Sequence, residues 1–288
     1  MPRVLPAELV PAANTLSFTA SNVGMVIGPL LAGLILARWS FAAAYAADLT
    51  VFTLALYAAL RLPALPPTGP TTAPGLRSVV DGLAFIVTRP VLLLSFAVDI
   101  VAMVLAMPRA LFPATAAEFG GRGAVGWLYA AIAIGAVAAG LSSGWIGRVG
   151  RQGVALVVAV IAWGLAVAAA GLVPVLWLMV LLLAVAGAAD LVSAVYRQSI
   201  LQTYAPDEMR GRMQGVFIVV VAGGPRLGDL RAGAAAAVFG VTASWVGGAL
   251  LAAALVSLAL LVPALRNYDA NAHLRAAGRD TVFPQSGT

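Results

Sequence analysis

Apolar runs of roughly 20 residues, the length that crosses a hydrocarbon core, follow one another along almost all of this 288-residue chain. At that depth a backbone finds no water, so each run is expected as a helix with its own hydrogen bonds. Composition agrees: 62% of residues are hydrophobic and 10% charged, with a mean hydropathy of +0.99, far above ordinary soluble composition. Eight spans are predicted: Leu16–Ala37, Phe41–Leu60, Val91–Phe112, Val125–Ile146, Gly153–Leu172, Leu176–Val195, Met213–Phe239 and Ser244–Leu265. The fifth and sixth are parted only by the turn around Pro174; as one helix they would be too long for a single crossing.

All 17 positive charges are arginines, scattered singly and mostly in connections. The pI near 10.5 is therefore a topology signal, and no nucleic-acid partner is expected. With the N-terminus inside, the inner side collects Arg3, Arg61, Arg77, Arg89, Arg148, Arg151, Arg197, Arg210, Arg212, Arg266, Arg275 and Arg279, and the outer side Arg38, Arg109 and Arg122. That is the positive-inside pattern, with both termini cytoplasmic. The chain has no Cys and one His, His273, in the polar tail, so no metal site and no cofactor are expected. The opening MPRVLPAELV has no apolar signal core. A membrane enzyme would need clustered His, Asp or Glu near one interface; the spans have no His and their carboxylates are dispersed. No catalytic residue is assigned.

The longest connection, residues 61–89, begins as a Pro/Thr/Gly-rich linker. It ends with Leu76, Val79, Val80, Leu83, Ile86 and Val87 at helical spacing, an amphipathic helix for the inner membrane face or an early start to the third span. Residues 267–288 read as a disordered tail. Asp48 is expected to cap the second span and Pro206-Asp207-Glu208 to start the seventh. Trp127, Tyr129, Trp163 and Trp177 suit interface anchoring better than stacking on a cargo.

Ionisable groups at membrane depth are costly and point to a transport path. Asp99, Asp190, Arg226, Asp229 and Arg231 are the candidates. Arg226 and Asp229, three apart, share a helix face and are placed to pair; Arg231, five residues from Arg226, is expected to meet another partner. Asp190 and Arg197 also share a face, with Arg197 expected to snorkel to the inner interface. Two Gly-Pro sites recur in helices of like orientation. One is Gly28-Pro29 with Ala32, within Gly24 to Gly33; the other is Gly224-Pro225 with Gly228. Their spacing suggests equivalent positions in two parallel six-span repeats.

LPAELVPAANTLS at the start, Gly187–Val216 and the GGPRLGDLRAG block at Gly223–Gly233 resemble the major facilitator superfamily, in the branch that contains the enterobactin exporters. Gly24, Gly28, Pro29 and Gly33 are similar to the fifth-helix motif of proton-coupled drug exporters, with Ala32 where Gly is usual. Arg148, Gly150 and Arg151 match the end of the superfamily's basic loop motif, but Gly147 replaces its acidic residue. The resemblance implies an all-α polytopic bundle in a bacterial cytoplasmic membrane. Residues 1–60 would be the last two helices of the first six-helix half, 61–89 the inter-half linker, and 90–266 the second half. Four helices, on the order of 120 residues, would then precede the first span. It further implies a secondary carrier for a small amphipathic cargo such as a siderophore or drug, exchanged for protons, or else a truncated non-transporting remnant or an incomplete gene model of one. No feature specifies the cargo or the oligomeric state.

Overall fold

Runs that must satisfy their own backbone become helices, and the helix ends fall where the sequence breaks them. The computed structural model describes residues 24, 27–61, 76–204 and 210–268. Its longer helices are α1 (Ile27–Arg38), α2 (Phe41–Leu60), α3 (Leu76–Val87), α4 (Pro90–Ala106), α5 (Phe112–Glu118), α6 (Arg122–Leu141), α7 (Gln152–Ala170), α8 (Leu176–Tyr204), α9 (Arg210–Phe239) and α10 (Val241–Ser257). The short α11 (Pro263–Arg266) follows, and among the described residues there is no strand. The fold is an all-α polytopic membrane bundle.

Among the described residues six helical stretches are long and apolar enough to cross a membrane: Phe41–Leu60, Pro90–Glu118 (α4 with α5), Gly123–Leu141, Gln152–Ala170, Leu176–Leu201 and Val241–Leu261. The two remaining predicted spans are also helical where described. Ile27–Arg38 is shorter, and α9 has 30 residues but holds Arg226, Asp229 and Arg231 among its apolar ones.

Proline and glycine set the breaks. Pro90 opens α4 after an extended Arg89, so α3 is a separate helix and not an early start of the third span. Met107, extended, and Pro108 close α4. Gly240, at φ +86°, turns α9 into α10, a conformation other residues rarely adopt. The chain turns around Pro174 between α7 and α8. The cap of α2 is Ser40, whose Oγ accepts from the Ala43 amide at 3.2 Å; Asp48 lies two turns inside the helix and is not the cap. The proposed helix start at residues 206–208 lies outside the described residues, as do the tail beyond 268 and His273.

By its contacts the chain divides into two compact units. The first contains α1, α2, α5 and α6 through Ile134. In it the ring of Phe112 stacks edge-on against Tyr129, centroids 5.0 Å apart, and α2 buries none of its residues. The second contains α3, α4 and α7 to α11, packed through small side chains as membrane helices are. Gly164 of α7 lies against Ala249 and Ala253 of α10, and Gly171 lies under the Trp245 indole, whose N–H donates to the Val167 carbonyl at 2.8 Å. Trp163 is buried in this core and does not anchor at an interface. The apolar positions of α3 divide: Ile86 is buried, whereas Val80, Leu83 and Val87 are exposed.

Candidate functional site

A buried charge is retained only where another charge or a path for ions answers it. In the second unit α4 and α8 each supply one. Asp99 is 2% exposed and Arg197 3% exposed, and the guanidinium Nη1 is ion-paired with Asp99 Oδ1. Sequence spacing places Arg197 on one face with Asp190 and predicts that it snorkels to water; instead it turns inward to a carboxylate on another helix. That partner is nearly 100 residues away, so no local pattern carries the signal. The residue-level clue was only that an Arg follows an Asp on one face of an apolar helix.

α9 closes the third side. Phe217 lies with its ring 6.0 Å from Arg197 Cζ, within range for a cation–π contact. Phe96, one turn before Asp99, meets Phe217 edge-on at 6.3 Å. Asp190 is half-buried two turns back along α8, within electrostatic reach of Asp99, Arg197 and Arg109. The centre thus joins two carboxylates, one guanidinium and an aromatic wall. Among the described residues Asp99 Oδ2 and Arg197 Nε have no hydrogen-bond partner, which leaves capacity for a proton or a polar cargo atom. Replacing such a pair by apolar residues often costs a fold nothing, so packing alone is a poor reason for it.

The charges of α9 are not gathered there. Arg226 is exposed and forms no ion pair with Asp229 among the described residues; Asp229 is half-buried, its Oδ1 without a hydrogen-bond partner. Arg231 does reach a different partner. Its Nε donates to the Val104 carbonyl at 3.2 Å, Nη1 to the Ser244 carbonyl at 3.3 Å, and Nη2 to the Leu105 carbonyl.

The first Gly-Pro motif packs only at its Pro29–Gly33 end, and the second packs at both Gly224 and Gly228. In α1, a Cβ on Gly33 would lie 2.7 Å from Gly126 Cα of α6, and one on Gly126 2.8 Å from the Pro29 carbonyl; Gly24 and Gly28 meet nothing within 4 Å. Beside this crossing runs a groove of about 290 Å³, lined by Leu30, Leu34, Ala37, Gly123 and Trp127. In α9, Gly224 faces the Met103 side chain of α4 and Gly228 its carbonyl, with Pro225 between them inside the helix. At the loop motif Arg148 and Arg151 are exposed and Gly150 half-buried. The Tyr196 hydroxyl donates to the Ile146 carbonyl at 3.3 Å, and Ser199 to Gln152 Oε1 at 3.0 Å, so α8 holds this loop. Among the described residues no cluster of His, Cys, Asp or Glu is suited to a metal.

Residues 1–285 match the model of a family described as transmembrane secretion effector. Among curated proteins, the chain is 30% identical over 270 residues to "Enterobactin exporter EntS" of Citrobacter koseri, covering 93% of this chain and 65% of the relative. It is 30% identical over 247 residues to the proteins of that name from Shigella boydii serotype 18 and Escherichia coli O81, covering 84% of this chain and 59% of each. The chain therefore spans about three-fifths of the length of these relatives. No solved structure matches.

Proposed function

The chain belongs to the transmembrane secretion effector family of the major facilitator superfamily, a family of transporters and not of enzymes, and from that premise we propose that it exports a small amphipathic molecule in exchange for protons. The cargo class that the relatives' name suggests is a siderophore of the enterobactin kind; a drug-like amphiphile is the other member of the same chemistry.

One observation carries the reading: the buried Asp99–Arg197 pair at the meeting of α4, α8 and α9. While Asp99 is ionised it holds the guanidinium. Its other oxygen, Oδ2, which has no hydrogen-bond partner among the described residues, can then accept a hydroxyl or ammonium donor of the cargo, with Phe217 and Phe96 offering an aromatic wall; a proton on Asp99 removes that acceptor and releases the cargo. Cargo and proton thereby act on one carboxylate, which is the coupling an exchanger requires. Asp190 extends the charged centre along α8, and Asp229 with Arg226 offers a further proton-accepting position on α9. The arginine distribution supports cytoplasmic termini, and the exposed Val80, Leu83 and Val87 support α3 lying on the inner membrane face.

Export assays on cells loaded with siderophore test this. Asp99→Asn and Arg197→Gln should abolish export with the protein still inserted, as should Asp229→Asn and Arg226→Gln if the α9 charges take part. Normal export by Asp99→Asn would remove the exchange mechanism, and normal export by the α9 pair would reduce those residues to packing.

A further inference from the structure

Gly224, Gly228 and Arg231 are spaced by four and three residues, which brings them back to one face of α9 after two turns. All three meet the same turn of α4. A Cβ on Gly224 would sit 3.2 Å from Met103 Cβ, Gly228 stands against the Met103 carbonyl, and Arg231 donates to the next two carbonyls, Val104 and Leu105. Arg226 and Asp229 lie on other sides of the helix.

That turn of α4 needs outside donors. In an α-helix the carbonyl of residue 104 would accept from the amide of residue 108, but residue 108 is proline and has none. Met107 is extended, so the break that follows leaves the last carbonyls of α4 without their usual partners. In the interior of a membrane protein each such group is expensive. Arg231 supplies the missing donors with its fork of N–H groups, and its Nη1 also reaches Ser244 of α10. Ser244 answers with its own hydroxyl, which donates to the Ala232 carbonyl of α9 at 2.8 Å. Gly248 of α10 lets all three elements come together: a Cβ there would lie 2.2 Å from the Leu105 carbonyl oxygen, 2.5 Å from Nη1 and 2.6 Å from Nη2.

We propose that Arg231 is a positioning residue, a side-chain cap for the proline-broken end of α4 that locks this helix in register with α9 and α10. The helix so held carries Asp99 two turns earlier, so its register sets where that carboxylate meets Arg197. The proposal stands on contacts alone and does not depend on whether the chain moves cargo.

The absence of cysteine permits a direct test. Nitroxides attached to cysteines at Ile100 of α4 and Leu165 of α7, both exposed, report the distance between the two helices in the full chain reconstituted in nanodiscs. The unmodified background should show one narrow distance. Arg231→Gln should broaden it or move it by about 1–2 Å, the scale of helix shifts at an interface. Arg231→Lys keeps the charge and loses the fork, and should behave like Arg231→Gln. Pro108→Ala restores an amide beneath Val104, so Arg231→Gln/Pro108→Ala should return the narrow distance. Should Arg231→Gln prove too unstable to purify, Arg231→Lys and its Pro108→Ala double variant make the same comparison. A distance unchanged in Arg231→Gln or Arg231→Lys, or no recovery with Pro108→Ala, would overturn the assignment.

Discussion

At the scale of single residues, the Asp99–Arg197 pair is the most exacting arrangement in the molecule. Removing one partner strands the other charge in the core, which costs about 3–5 kcal/mol, whereas replacing both by apolar residues of similar size is often neutral. Arg197→Met should therefore lower the thermal unfolding midpoint strongly, and Asp99→Leu/Arg197→Met should regain most of the loss. Additive effects of the two substitutions would show that the pair is not coupled. Glycines make a second comparison. Gly126 touches the backbone of α1 on two sides, so Gly126→Ala should destabilise by about 1–3 kcal/mol, as overpacking does. Gly28 faces open space, and Gly28→Ala should leave stability unchanged or raise it by up to about 1 kcal/mol through helix propensity. Equal midpoints for the two alanine variants would refute the seam between α1 and α6.

At the scale of elements, α3 shows how a periodic pattern can be right about a helix and incomplete about its face. Its apolar residues cover more than one side: Ile86 packs into the second unit, and Val80, Leu83 and Val87 turn away from it. Arg89, just past its end, lays its guanidinium 5.5 Å from the Phe85 ring, a geometry suited to the water–lipid boundary. With cysteine introduced at Leu83 or Val87 and labelled with an environment-sensitive dye, emission in vesicles should be blue-shifted at both positions. Water-like emission at both would take α3 off the membrane.

At the scale of the whole molecule, the arginine asymmetry makes a topological prediction. Reporters fused at Gly121 and at Thr242 should read as outside, and reporters at Pro70 and at the C-terminus as inside. Gly121 and Pro70 on the same side would end the proposed arrangement.

Length, apolar run and breaker residue are local properties, and they were enough for the helices. Pro90, Pro174 and Gly240 mark ends that any reader of the chain would place within a few residues, because each removes a donor or permits a backbone that others avoid; Pro108 was passed over, since the predicted span Val91–Phe112 runs through the break that ends α4 at Ala106. The family blocks at Gly187–Val216 and Gly223–Gly233 were legible for the same reason. The partners of the charges were not. Arg197 and Asp190 lie seven residues apart and share a helix face, yet Arg197 pairs with Asp99; Arg226 and Asp229 share a face and make no ion pair among the described residues. Helical periodicity says which side of a helix a residue occupies but not which helix that side meets. Arg231 reads as a charge in the sequence and acts as a cap in the fold, since the carbonyls that need it belong to a helix more than 100 residues earlier. The sequence by itself determined the helices, because their hydrogen bonds close within each run; only the tertiary structure decided the site, because its charges are answered from different helices.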